Sequence, residues 1–233
     1  MPWTAPAPRA VFLDVGGPIY DDENFVAAVL RALDELRTEA GDSPTDRRRM
    51  RRIYDEARQR QGGSLRSALA EEFLGSADRR QELHDRTRSH WTHPPGTMYG
   101  DVLPFLERLS GQVTIGVVAN QERTVIDCLE RDGVAPYVSV WGISAVVGLE
   151  KPSRELFEWA LAEAGTSPEE AVHIGNRLDT DVRPAQALGL STVWVLRGEA
   201  PPQPTAEQLA EPDLAVPDLS TLADQLLIPS VVP

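Results

Sequence analysis

Four side chains in this sequence have the types and the placement to bind or attack an oxyanion: Asp14, Asn120, Lys151 and Asn176. Asp14 closes the apolar run Val11-Phe12-Leu13 and is followed at once by Val15-Gly16-Gly17-Pro18, a turn signal. A carboxylate there has two readings: a nucleophile at the open end of a strand, or a cap that accepts the N–H groups of its own turn. The basic residues narrow the choice, because the chain contains 22 Arg and a single Lys, Lys151. So biased a background marks position 151 as one that needs a compact ammonium rather than a planar guanidinium. Lys151 also stands before a predicted helix start at Pro152, where free N–H groups favour an anion. Together these residues outline an anion pocket with one nucleophile candidate.

Such a pocket needs elements that bring distant residues to one place. The run at 11–13 is continuously apolar, which suits a strand covered on both faces of a parallel sheet. From Gly100 the pattern alternates as βαβ units do, with strands predicted over 113–119, 137–143, 171–174, 191–196 and 214–216. Helices are predicted over 103–109, 122–131, 152–164, 180–188 and 219–227. Right-handed crossovers place the carboxyl ends of such strands along one edge, so Asp14, Asn120 and Asn176 should converge there. Between Asp14 and Gly100 the periodicity is helical, over 23–40, from Ser43-Pro44-Thr45-Asp46 onward, over 64–74 and over 76–90, with 92–97 as a linker. Ser43 is read as the cap of the second helix and Pro44 as its first residue. This stretch is nearly neutral, with 14 Arg against 13 acids in residues 23–95, whereas the rest holds nine basic residues against 23 acids. The expectation is an α/β, Rossmann-like three-layer domain with a central parallel sheet, formed by residues 1–22 and 96–233, carrying an inserted all-helical cap domain of residues 23–95.

A formal charge of −13 argues against nucleic acid and anionic membranes as partners, since both attract basic surfaces. Nowhere do 18 apolar residues follow one another, and the start of the chain lacks a basic stretch leading into an apolar one, so a soluble, cytoplasmic protein is expected. Cys128, the single cysteine, is read as a buried structural thiol without an intrachain disulfide. Asp21 and Asp22 are read as the solvated start of the helix at 23, and Asp179 as a turn residue. His90 and His93 lack further ligands for a metal. Arg47 to Arg52 form a solvated face, and Trp91 is the tryptophan expected to touch a ligand.

Four motifs in order then resemble the haloacid dehalogenase superfamily, most of whose members are phosphatases. They are Asp14-Val15-Gly16-Gly17-Pro18, Ala119-Asn120, Gly148-Leu149-Glu150-Lys151-Pro152, and Gly175-Asn176 with Asp181. The resemblance implies that Asp14 attacks phosphorus and forms an aspartyl-phosphate while Lys151 neutralises the transferring group. Gly16, Gly17, Asn120 and Lys151 would hold the phosphate of a small phosphorylated metabolite. Mg2+ would be bound by the Asp14 carboxylate, the Gly16 carbonyl and the Asn176 side-chain oxygen, with Asp181 bonding a metal-bound water. Three positions depart from the pattern. Gly16 stands where the family carries its general acid and base, whose loss costs about 10²–10⁴ in rate. Ala119 lacks a hydroxyl for phosphate, and Asn176 replaces an anionic metal ligand with a neutral one. Three readings follow: a magnesium-dependent phosphatase, weakened at these positions; an impaired member that binds a phosphorylated ligand or a protein; and a metal-independent, dehalogenase-like hydrolase.

Overall fold

Val11 and Leu13 pack into one hydrophobic cluster while Ala10 and Phe12 pack into another, so the first strand is covered on both faces. This strand, β1 (Ala10–Leu13), is followed by α1 (Glu23–Glu39), α2 (Arg47–Arg60), α3 (Leu65–Leu74) and α4 (Arg80–Arg88). The chain returns through α5 (Val102–Leu109) to β2 (Thr114–Ala119), then α6 (Val125–Arg131), β3 (Val140–Ile143), α7 (Ser144–Val147) and α8 (Arg154–Ala164). Next come β4 (Ala171–Gly175), a π-helical turn over Leu178–Val182, α9 (Arg183–Leu188), β5 (Ser191–Val195), α10 (Ala206–Ala210), β6 (Leu214–Val216) and α11 (Leu222–Leu227). The protein was analysed as a computed structural model, and residues 3 and 5–227 are described.

Among the described residues the six strands form one parallel sheet in the order β3-β2-β1-β4-β5-β6. The chain builds outward from β1 to β3, then crosses back and builds outward from β4 on the other side. The order therefore reverses between β1 and β4, and open α/β sheets bind ligands at the carboxyl ends beside that reversal. Gly116 of β2 is a packing requirement of this centre, since a Cβ there would lie 2.7 Å from the Phe12 ring and 2.9 Å from Val140.

Helices α1 to α4 close on their own apolar cluster, in which Val29, Leu33 and Leu36 of α1 meet Met50, Tyr54, Leu69, Phe73 and Leu83. Three differences from the sequence expectation have clear local signals. Helix α2 starts one turn late, because Asp46 and not Ser43 is its cap, accepting from Arg48 N at 2.9 Å and Arg49 N at 3.1 Å. Strand β3 starts at Val140, because Pro136 opens a 3-10 turn over Ala135–Tyr137. Helix α10 was not expected, although Thr205 and Gln208 form a reciprocal capping box that the sequence displays.

Candidate active site

Asp14 leaves β1 still tied to the sheet, its N–H donating to Ile174 O of β4 at 2.9 Å. Its Oδ1 accepts from Val15 N at 2.8 Å. The chain then turns through Gly17, whose φ is +80°, and a Cβ there would overlap the Asn176 amide. Only glycine meets both demands at no cost. Arg197, at the end of β5, holds this turn from outside by donating to Gly17 O at 2.8 Å and Pro18 O at 2.6 Å. Its guanidinium also pairs with Asp101 at 2.8 Å and lies over the Tyr99 ring.

Lys151 is 4 % exposed and its Nζ bridges two carboxylates, Asp14 Oδ1 at 3.0 Å and Asp181 Oδ1 at 2.5 Å. Asn120, at the end of β2, clamps the lysine backbone from both sides: its Nδ2 donates to Lys151 O at 2.8 Å and its Oδ1 accepts from Lys151 N at 2.7 Å. Asn120 thereby positions Lys151 while also lining the pocket. Asp181 is fully buried and also accepts from Arg177 N at 3.0 Å and shares a hydrogen bond of 3.1 Å with His173 Nε2. Gly175 makes room for it, since a Cβ there would overlap the Asp181 side chain. Asp181 thus holds the lysine, while its Oδ2 accepts a single hydrogen bond.

Charges in this row are unequal. Burial raises the Asp14 carboxyl to about 6, against the pull of Lys151. Asp181 experiences the same burial, but Lys151 and His173 outweigh it and hold its carboxyl well below the usual range. Burial also lowers the His173 imidazole, despite Asp181 beside it.

Asp22 corrects the sequence reading. Asp21 does cap the start of α1, accepting from Glu23 N at 2.9 Å, but Asp22 is 8 % exposed and belongs to the site. Its Oδ2 accepts from Asn176 Nδ2 at 2.9 Å and Glu199 N at 3.0 Å. A Cβ added at Gly16 would lie 2.5 Å from Asp22 Oδ1, so this carboxyl fills the space that a side chain at position 16 would need. Burial, with Glu199 and Asp14 nearby, raises its pKa well above the ordinary carboxylate value.

Asp14, Gly16, Asp22, Asn120, Lys151 and Asn176 line one pocket of about 460 Å³ together with Phe25, Leu65, Arg66 and Trp91 from the helical side. That volume suits a small molecule. Trp91 stands where the sequence placed it, whereas nothing in the sequence singled out Arg66 or Arg197. Asp179 pairs with Arg177 at 2.7 Å. His90 bonds Glu35 and His93 bonds Gln121. Arg47, Arg48, Arg49 and Arg52 are exposed as expected, and Cys128 is partly buried. Among the described residues no group of three or more His, Cys, Asp or Glu side chains could hold a metal, and no helix is long and apolar enough to cross a membrane.

Fold and site define a doubly wound α/β protein with an aspartate–lysine pair at its switch point. A HAD-hydrolase-like family model matches residues 148–222. Phosphoserine phosphatase of Thermus thermophilus is 35% identical over 162 residues, covering 66% of this chain and 60% of that protein. Glyceraldehyde 3-phosphate phosphatase of Methanopyrus kandleri is 37% identical over 107 residues, covering 43% of this chain and 44% of that one. The matched segments thus span about half the length of these relatives. Among solved structures, a predicted phosphoglycolate phosphatase from Haemophilus somnus superposes with a TM-score of 0.72 at 16% identity, covering 94% of this chain and 97% of that one. The HAD-hydrolase YfnB of Bacillus subtilis, solved with magnesium bound, superposes with a TM-score of 0.65 at 22% identity, covering 95% and 99%. These matches make the chain similar to haloacid dehalogenase-like hydrolases.

Proposed function

We propose that the protein is a magnesium-dependent phosphohydrolase that removes the phosphoryl group from a small phosphate monoester through Asp14. In this reading residues 23–95 are a helical cap on a core of residues 1–22 and 96–233. The buried Lys151 ammonium, held between Asp14 and Asp181, carries the proposal. An ammonium enclosed in this way neutralises both the attacking carboxylate and the phosphoryl group that approaches it, without reorganising water at the moment of reaction. The phosphatase names of the two relatives support the same chemistry.

Magnesium needs oxygens that are free to bind it. Among the described residues, Asp14 Oδ2, Gly16 O and Asn176 Oδ1 accept no hydrogen bond. Three hard oxygens from residues lining one pocket fit magnesium, which keeps several waters, and a single anionic ligand makes the site weak. Bound there, the ion would neutralise the non-bridging oxygens of the phosphate.

Hydrolysis then needs two transfers. In the first, the Asp14 carboxylate forms a bond to phosphorus, the bond from phosphorus to the alcohol oxygen breaks, and the leaving alkoxide takes a proton from Asp22 Oδ1. In the second, water attacks phosphorus, gives its proton back to Asp22, and releases inorganic phosphate and the Asp14 carboxylate. Asp22 is the pocket carboxyl best placed for this, because it is buried whereas Glu150 is exposed, and Asp179 and Glu199 are both paired with Arg177.

The reading is tested by phosphate release from a panel of small monoesters with and without magnesium. Asp14→Asn is nearly isosteric and should lower turnover by about 10³-fold or more while melting near the parent. Equal turnover by the two proteins would remove Asp14 from the mechanism.

A further inference from the structure

We propose that Arg66 is a second anchor of this pocket and that the ester it selects carries a carboxylate at the end away from its phosphate. The proposal rests on the phosphohydrolase reading and adds the substrate class to it.

Arg66 lies in the first turn of α3 and lines the same pocket as Asp14 and Lys151. It is half-buried, and its Nε is buried without a hydrogen-bond partner. Among the described residues it forms no ion pair. The other arginines around the pocket differ in this respect. Arg177 is paired with Asp179 and Glu199, Arg197 with Asp101, and Arg58 donates twice to Ala200 O. A guanidinium removed from water without a counter-charge is unfavourable, so a folded protein that keeps one facing a pocket has left its partner to the ligand. Burial lowers the Arg66 pKa, and the carboxylates of Glu199 and Glu150 oppose this only from a distance.

The surroundings narrow the ligand. The Phe25 ring lies under the Arg66 guanidinium at 5.7 Å, and Trp91 meets Phe25 edge-on at 5.1 Å. Phe25 covers one side of the guanidinium, whose N–H groups remain donors that match a planar carboxylate accepting two parallel bonds. A second phosphate would bring up to two negative charges against this one cation. Glu150 already lines the pocket and Arg177 is already paired with Asp179 and Glu199, so the extra charge would meet no free cation beside Arg66 there. A carboxylate brings one charge for one guanidinium.

The test compares a phosphorylated hydroxy acid of two or three carbons with its carboxamide and with the bisphosphate of the matching diol. The parent should turn over the acid with a kcat/KM about tenfold or more above the amide and the bisphosphate. Arg66→Met should lose about tenfold more on the acid than on the amide, mainly through KM, and Arg66→Lys should recover part of that difference. Arg66→Met should fold, because it removes an unpaired buried charge, and its melting point serves as the control. Equal losses on acid and amide, or a parent that does not discriminate between them, would overturn the assignment, and a preference for the bisphosphate would overturn the choice of carboxylate. If the parent hydrolyses none of the three, the phosphohydrolase reading fails on its own. Calorimetric binding of the acid and the amide to parent and Arg66→Met then decides Arg66 separately: tighter binding of the acid by the parent alone supports it, and equal binding sinks it.

Discussion

Gly16 and Asp22 are two halves of one arrangement. The absent side chain at position 16 leaves room for the Asp22 carboxyl, whose Oδ1 would lie 2.5 Å from a Cβ at Gly16. Adding a carboxyl by Gly16→Asp should therefore lower both the melting point and the activity, since two buried acids would compete for one space. Asp22→Ala should reduce turnover of an alkyl phosphate far more than that of a nitrophenyl phosphate, whose leaving group departs without a proton. The double change Gly16→Asp with Asp22→Ala should recover part of what either single change loses. Residues in contact couple by about 0.5–3 kcal/mol in such cycles, so strictly additive losses would show that the two positions do not share a role. The sequence displayed half of this. It showed a glycine where a proton carrier was wanted, but the burial of Asp22 depends on the 197–199 loop folding over it from far along the chain. The lysine was more legible, since the one Lys of the chain drew attention by its rarity and its ammonium lies between Asp14 and Asp181.

Elements were readable where one local signal determined them. Both-face burial of β1 follows from its unbroken apolar run, and the strand ends that carry Asp14, Asn120 and Asn176 follow from the turns behind them. The start of α2 was misplaced because Ser43-Pro44 and Asp46 both make good caps, and only the hydrogen bonds of Asp46 decide between them. Connections that tie one element to another were not readable at all, Arg197 being the clearest case. It joins the end of β5 to the turn after β1 and to Asp101, which also accepts from Leu219 N at 2.7 Å. Arg197→Met should destabilise the fold by about 3–5 kcal/mol, because it leaves the largely buried Asp101 carboxylate without its counter-charge. Denaturant unfolding of the two proteins measures this. A loss under about 1 kcal/mol would place the pair with exposed salt bridges and deny it a part in holding the nucleophile turn.

At the scale of the whole molecule, the helical cluster of α1 to α4 and the sheet have separate apolar cores, and polar contacts bring them together around the pocket. Gln61 is central to these. It ends α2 in a left-handed conformation with φ of 48°, is 1 % exposed, and donates from Nε2 to Glu199 O at 2.8 Å while its Oε1 accepts from Leu178 N at 2.9 Å. Arg183 adds a bond to Gln61 O at 3.1 Å. The two sides hold different parts of the ligand in the present reading, since Asp14 and Lys151 come from the sheet side and Phe25, Arg66 and Trp91 from the helical side. Gln61→Ala strands a buried N–H and a buried carbonyl, about 1–3 kcal/mol of lost interaction each. Because each core is complete without the other, that loss should appear as separation of the two parts rather than as unfolding of either. Hydrogen exchange should rise at the end of α2, the start of α3 and the 197–200 loop, with β1 and β4 unchanged, and KM should rise by a larger factor than kcat falls. Exchange that rises equally through the sheet and the helices would mean that the two cores unfold as one, and Gln61 would then be an ordinary stabilising contact rather than the joint that sets how closely the helices sit over Asp14.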